Sequence, residues 1–165
     1  MEAINRITVS YNDMEDRIEL ACRYETGGIQ VMWLTRRLCD RLVEALVARL
    51  QTPGRQDPIS ANTLQSWELS AAKAALVPEN PVSEIGASRV LVNAVDLSQE
   101  NGRFRLYFRW KDSGALLILD DTSLRQWLSI VHETYAKAQW GSGVWPVWFS
   151  AASASHLASS GVPLH

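Results

Sequence analysis

Laid over itself at a displacement of 86 positions, from Arg17 to Arg103, the chain repeats its chemical character. Ile18, Leu20, Cys22 and Tyr24 fall on Phe104, Leu106, Phe108 and Trp110. Gly28 falls on Gly114, Val31 and Trp33 on Leu117 and Leu119, Thr35 on Asp121, Leu38 on Leu124 and Leu42 on Leu128. Few of these pairs are identities. Strand phase, turn glycine, cap and helix phase nevertheless agree together, and self-similarity at a fixed spacing is the signature of a repeated structural unit. Ile7-Thr-Val-Ser-Tyr also matches Val90-Leu-Val-Asn-Ala, at a displacement of 83, which implies a longer turn around Ser98 to Gly102 in the second copy. The fold expected is α+β: a tandem duplication of an antiparallel βββα unit, with a connecting helix and an aromatic, Ala/Ser-rich C-terminal tail.

Local patterns place the elements of each unit. Residues 4–11 and 88–97 read as first strands, and residues 17–24 and 103–110 as second strands with period-2 alternation. Glu25-Thr-Gly-Gly and Lys111-Asp-Ser-Gly read as hairpin turns, because glycine supplies the backbone freedom that tight turns use. Residues 29–34 and 115–119 are third strands. Thr35 and Asp121 then stand as helix N-caps, their side-chain oxygens placed to accept from free first-turn amides. Leu38, Leu42, Ala45, Leu46 and Leu50 mark one apolar helix face, and Leu124, Leu128, Val131, Tyr135 and Ala138 mark the other. Pro53-Gly-Arg-Gln-Asp-Pro breaks the chain between the units, and a helix is expected from about Asn62 to Leu76, ended by Pro78 and Pro81. The expected organisation is a first unit over 1–50, a linker with helix over 51–86, a second unit over 87–139 and a tail over 140–165. The two units share one compact domain.

Composition narrows the function classes. Apolar residues make up 47% of the 165 and charged residues 21%, as in ordinary globular proteins. The formal net charge of -2 weighs against a general nucleic-acid binder, which is usually basic. No apolar run reaches the roughly 18 residues of a membrane span, and the N-terminus lacks an apolar signal region. Cys22 and Cys39 have no metal-type spacing and read as buried free thiols of a reducing, cytoplasmic setting. No His-x-His, HExxH, P-loop, nucleophile-elbow or dinucleotide fingerprint occurs. No cofactor, metal site or catalytic residue is expected.

Three surfaces are candidates for binding. Arg103, Arg105, Tyr107, Arg109 and Lys111 alternate with the apolar set of one strand. They present cations and a phenol on one face, suited to single-stranded nucleic acid or another anion. The same pattern also serves a charged, solvated strand face that resists edge aggregation. Thr35, Arg36 and Arg37 open a helix and suggest an anion site at its free amides. Alternatively, the arginines reach a nearby acid such as Glu15, Asp16 or Asp40. Leu116 and Ile118 on a sheet face, with Trp140, Trp145, Trp148 and Phe149 in the tail, suggest a protein interface. The tail could equally fold back on its own chain. The leading expectation is a non-enzymatic binding or assembly protein acting on a protein partner or on a second copy, with single-stranded nucleic-acid binding as the alternative and an enzyme of unknown class, its site assembled from scattered residues, as the third.

Overall fold

The computed structural model describes residues 1–51, 57–141 and 143–150. The protein is α+β. Seven strands form one curled sheet: β1 (Glu2–Asn12), β2 (Arg17–Tyr24), β3 (Ile29–Leu34), β4 (Ser88–Leu91), β5 (Ala94–Glu100), β6 (Arg103–Trp110) and β7 (Ser113–Leu119). Three helices pack with it, α1 (Arg36–Leu50), α2 (Pro58–Ala74) and α3 (Asp121–Ala138), and a short helical turn covers 147–150. The expected break at 53–58 falls partly on residues outside the described ones, and the Ala/Ser-rich stretch after Ser150 lies wholly outside them.

Strand order is β4-β3-β2-β1-β7-β6-β5. The hairpins β1–β2, β2–β3, β5–β6 and β6–β7 are antiparallel, whereas β1–β7 and β3–β4 are parallel. The halves of the chain therefore share one sheet. Its two edge strands are successive parts of one stretch, since β4 leads into β5 through Val92 and Asn93. Val92 N–H donates to Trp33 O on one side and Asn93 N–H to Arg109 O on the other.

That stretch departs from the single strand expected over 88–97. Leu91 lies opposite Trp33 on the outer face, while Val95 lies opposite Phe108 on the inner, buried face. Both positions are odd, so the backbone changes phase at 92–93. One irregular step of this kind exchanges the faces of every later residue. Val95 therefore packs against the core. The turn from β5 to β6 is also shorter than expected. Only Asn101 (φ +50°) and Gly102 (φ +73°) lie between the strands, while Asp13 to Asp16 separate β1 from β2. Positive φ at both central residues is the twist-matched two-residue hairpin turn, for which Asn-Gly is the strongest sequence signal.

Caps set the helix limits. Thr35 caps α1 by accepting from Leu38 N at 3.3 Å. Asp120, one residue before the expected cap, caps α3 by accepting from Ser123 N at 2.7 Å. α2 begins earlier than expected, at Pro58 behind the Asp57 cap, because proline at the first helical position gives up no useful N–H. The inner sheet face, with Ile18, Leu20, Leu106 and Phe108, joins α1 through Leu42 and Leu46 and α3 through Leu124 and Leu128 in one buried core. On the outer side, the segment after α2 crosses the first hairpin, and Val82 closes a small second cluster with Ala21 and Val31. Among the described residues, no helix is long and apolar enough to cross a membrane.

Candidate functional site

The basic strand stands where the alternation put it. Phe104, Leu106, Phe108 and Trp110 are buried, while Arg103 and Arg109 are exposed and Arg105 and Tyr107 half-buried on the opposite face. Lys111 sits just past the strand, in the turn, with φ +48°. The face is not purely basic. Asp96 lies across from Tyr107 and pairs with Arg109 at 2.8 Å, and Glu100 lies across from Arg103. Arg105 stands between Ser98 and Ile118. Tyr107 lies against Gly114, where an added Cβ would come within 2.6 Å of its ring. Beside it is a polar cavity of about 430 Å³ lined by Tyr24, Gln30, Tyr107 and Trp110, and also by the carboxylates of Glu2 and Asp112.

The second group is brought together differently from an open anion site. Thr35 spends its hydroxyl on the cap. Arg36 donates to Trp140 O and lies 3.9 Å from Asp40, so it links α1 to the tail. Arg37 is exposed.

The tail aromatics enter the protein's own core. Trp140, Trp145, Trp148 and Phe149 are all buried. Trp140 donates its indole N–H to Asp16 at 2.8 Å and meets Tyr11 and Tyr135 edge-on. Trp145 and Phe149 pack on His132, and Trp148 stacks under the guanidinium of Arg125. Burial lowers the His132 pKa, with a smaller push from Lys73. These four rings cover α3 rather than standing free for a partner. Of the group proposed from sequence, Ile118 is 40% exposed and Leu116 half-buried.

Ile118 borders a groove of about 640 Å³. One wall is β1 from Ile4 to Val9, the other β7 from Leu117 to Leu119. Ser123, Gln126, Trp127 and Ile130 of α3 and residues 75–81 complete it. Beside Ile118, Leu76 (39% exposed) and Val77 (75%) offer further apolar surface. The segment carrying them is tied to β1 by side chains: Arg6 pairs with Glu79 at 3.1 Å and donates to Asn80 O, and Val82 N–H donates to Thr8 Oγ1 at 2.9 Å. Further along, Glu84 meets Glu19, and Arg89 lies 3.6 Å from the first and 4.0 Å from the second. Burial raises the Glu19 pKa, but hydrogen bonds with Glu84, Trp33 and Asn12, together with Arg89, outweigh it and leave that carboxyl below its usual value. The same contact raises Glu84.

Immediately before this segment, α2 turns Leu64, Trp67, Ala71 and Ala74 to solvent, with Trp67 70% exposed. These positions share one helix face. That face was readable in the sequence, but an apolar helix face is ordinarily inward, and nothing in the spacing says that Gln65, Ser66, Leu69 and Ala72 are the buried set. The groove was not readable, because its walls come from opposite ends of the chain.

Cys22 and Cys39 are buried and unpaired. Burial pushes the Cys22 thiol up to about 12 and raises Cys39 as well, so neither is a ready nucleophile. Among the described residues, no three His, Cys, Asp or Glu side chains gather to hold a metal ion. No protein-family model matches the chain, and no curated protein or solved structure matches it.

Proposed function

We propose that this protein is a non-enzymatic binding module that acts through protein–protein contact, with the groove between β1 and β7 and the outer face of α2 as its surfaces. The carrying observation is apolar side chains left in water after the tail has been used internally: Trp67, Leu76, Val77 and Ile118. Isolated exposed apolar residues need no explanation, but a cleft bordered by three of them, with an exposed tryptophan on the preceding helix, is the kind of surface partners use. The thiols fit a reducing, cytoplasmic setting.

Support for a tandem duplication comes from the pairings. Each half's first strand runs antiparallel to its own second strand and parallel to the other half's third strand: β1 with β2 and β7, and 88–100 with β6 and β3.

The test is a tagged pull-down from native lysate with and without nuclease, repeated with Trp67→Ala and Ile118→Asp. A protein partner that survives nuclease and is lost with either variant, while circular dichroism is unchanged, is expected. Recovery of nucleic acid alone would remove this reading. It would favour the second one, in which Arg103, Arg105 and Tyr107 on the open face of β6 hold a single strand.

A further inference from the structure

We propose that the groove between β1 and β7 receives one extended peptide segment of a partner protein, which adds as a strand between two free edges. This rests on the protein-binding reading above and specifies the ligand.

The parallel ladder joining β1 to β7 has only two pairs, Glu2 with Ala115 and Ala3 with Leu116. Beyond it the strands part, and Ile4–Val9 and Leu117–Leu119 become the facing walls of the groove. Each is paired on its other side, β1 with β2 apart from a bulge at Asn5, and β7 with β6. Alternate residues of each strand therefore turn their N–H and C=O groups into the groove. Among the described residues, no backbone hydrogen bond joins residues 75–81 to either strand. The contacts across to that segment and its continuation are made by Arg6 and Thr8 side chains.

Complementarity of charge then selects the occupant. Two facing rows of alternating partial charges, spaced about 3.3 Å per residue along each wall, are matched by an extended main chain. A helix has already spent those groups internally. Arg6 and Glu79 neutralise each other, so the groove asks for no net charge on the ligand. The protein builds the same arrangement elsewhere, where β4 lies parallel to β3 over Gln30 to Trp33. β7 has such a neighbour for only two residues. A segment inserted here places alternate side chains toward Trp127 and Ile130, and the others beside Ile118 and Val77. Trp127 is itself buried, with an indole N–H that no atom of the described residues accepts. The ligand is thus an extended segment with apolar residues at every second position.

The full chain would be panned against displayed random peptides of about ten residues, and the enriched peptides synthesised and titrated. Alternating apolar sequences without central proline are expected. N-methylation of one central amide should weaken binding about tenfold, the worth of one hydrogen bond, whereas N-methylation at the peptide's end should not. Ile118→Asp should weaken binding by at least that factor, and Trp67→Ala should leave it unchanged. Enrichment of helical peptides, insensitivity to N-methylation, dependence on Trp67, or no enrichment would each overturn the strand reading. So would displacement of peptide by self-association, which would make a second copy the occupant. A lysate partner lost with Trp67→Ala but kept with Ile118→Asp would still uphold the protein-binding function while this inference fails.

Discussion

Arg125 shows how this protein accommodates a buried charge. It is 3% exposed, yet Asp121 and Glu68 each approach it at 2.7 Å and Gln65 accepts from it at 2.8 Å. Its guanidinium also caps the Trp148 ring, so one side chain ties α2, α3 and the tail together. Removing one partner of a buried pair costs about 3–5 kcal/mol when the charge left behind stays buried. Here the carboxylates left behind are part-exposed and can rehydrate, so Arg125→Ala should lose about 2–3 kcal/mol in urea unfolding. Arg125→Lys should recover only part of it, since an ammonium cannot serve three acceptors in one plane. A loss of a few tenths would mean that the clamp is incidental. Gly114 makes a second residue-scale case. Its alignment with Gly28 suggested a turn glycine, but it lies inside β7, and space is what requires it: a Cβ would meet Phe108 O and the Tyr107 ring at 2.6 Å. At Gly28 the nearest atom is 3.4 Å away, on the Tyr24 side chain. Gly114→Ala should therefore cost about 1–3 kcal/mol and Gly28→Ala clearly less, measured side by side in thermal melts.

At the level of elements, what was readable was what is local. The alternation over β6, the Thr35 cap and the apolar faces of α1 and α3 each depend on residues close in sequence, and the structure keeps them; on β2 the outer-face Glu19 and Ala21 are buried as well. The cues passed over were local too: Asp57-Pro58 as a cap and first helical residue, and Asn101-Gly102 as a two-residue turn. The tail was different, because its aromatics suit a partner and the chain's own core equally well. Their place is decided by α3, whose His132 and Tyr135 meet Trp145 edge-on. This gives a pH dependence. Burial, with a smaller contribution from Lys73, lowers the His132 pKa below 6.5, against the opposing pull of Glu133. Below that value the unfolded chain binds more protons than the folded one, so stability is lost as pH falls from 6.5 through the lowered pKa. Urea midpoints measured across this window should fall with acid more in the wild type than in His132→Leu. Parallel curves would mean that the imidazole is solvated in the native state.

For the whole molecule, the decisive contacts are those that no periodicity carries. β1 reaches β7 across most of the chain's length, and β4 reaches β3 across the whole of α1 and α2. The bend at Val92 and Asn93 lets a single stretch serve both edges of the sheet. A pattern within either half shows strands and faces, but it does not show that each half's first strand finishes the other half's sheet, nor that a groove opens where β1 leaves β7. The energetic consequence is that neither half owns a core: Leu20, Leu46, Phe108 and Leu128 belong to one buried cluster. Unfolding should therefore be a single transition, with tryptophan fluorescence and far-ultraviolet circular dichroism superimposing in urea. A chain ending at residue 86 keeps β1, β2, β3, α1 and α2 but loses β4 from the edge of β3 and α3 from beneath the sheet. It would expose the inner faces of Ile18, Leu20 and Leu34 to water. It should show no cooperative melt, whereas an independently folding unit of 86 residues would melt sharply and would mean that the parallel ladders are a late attachment rather than the joint that holds the fold.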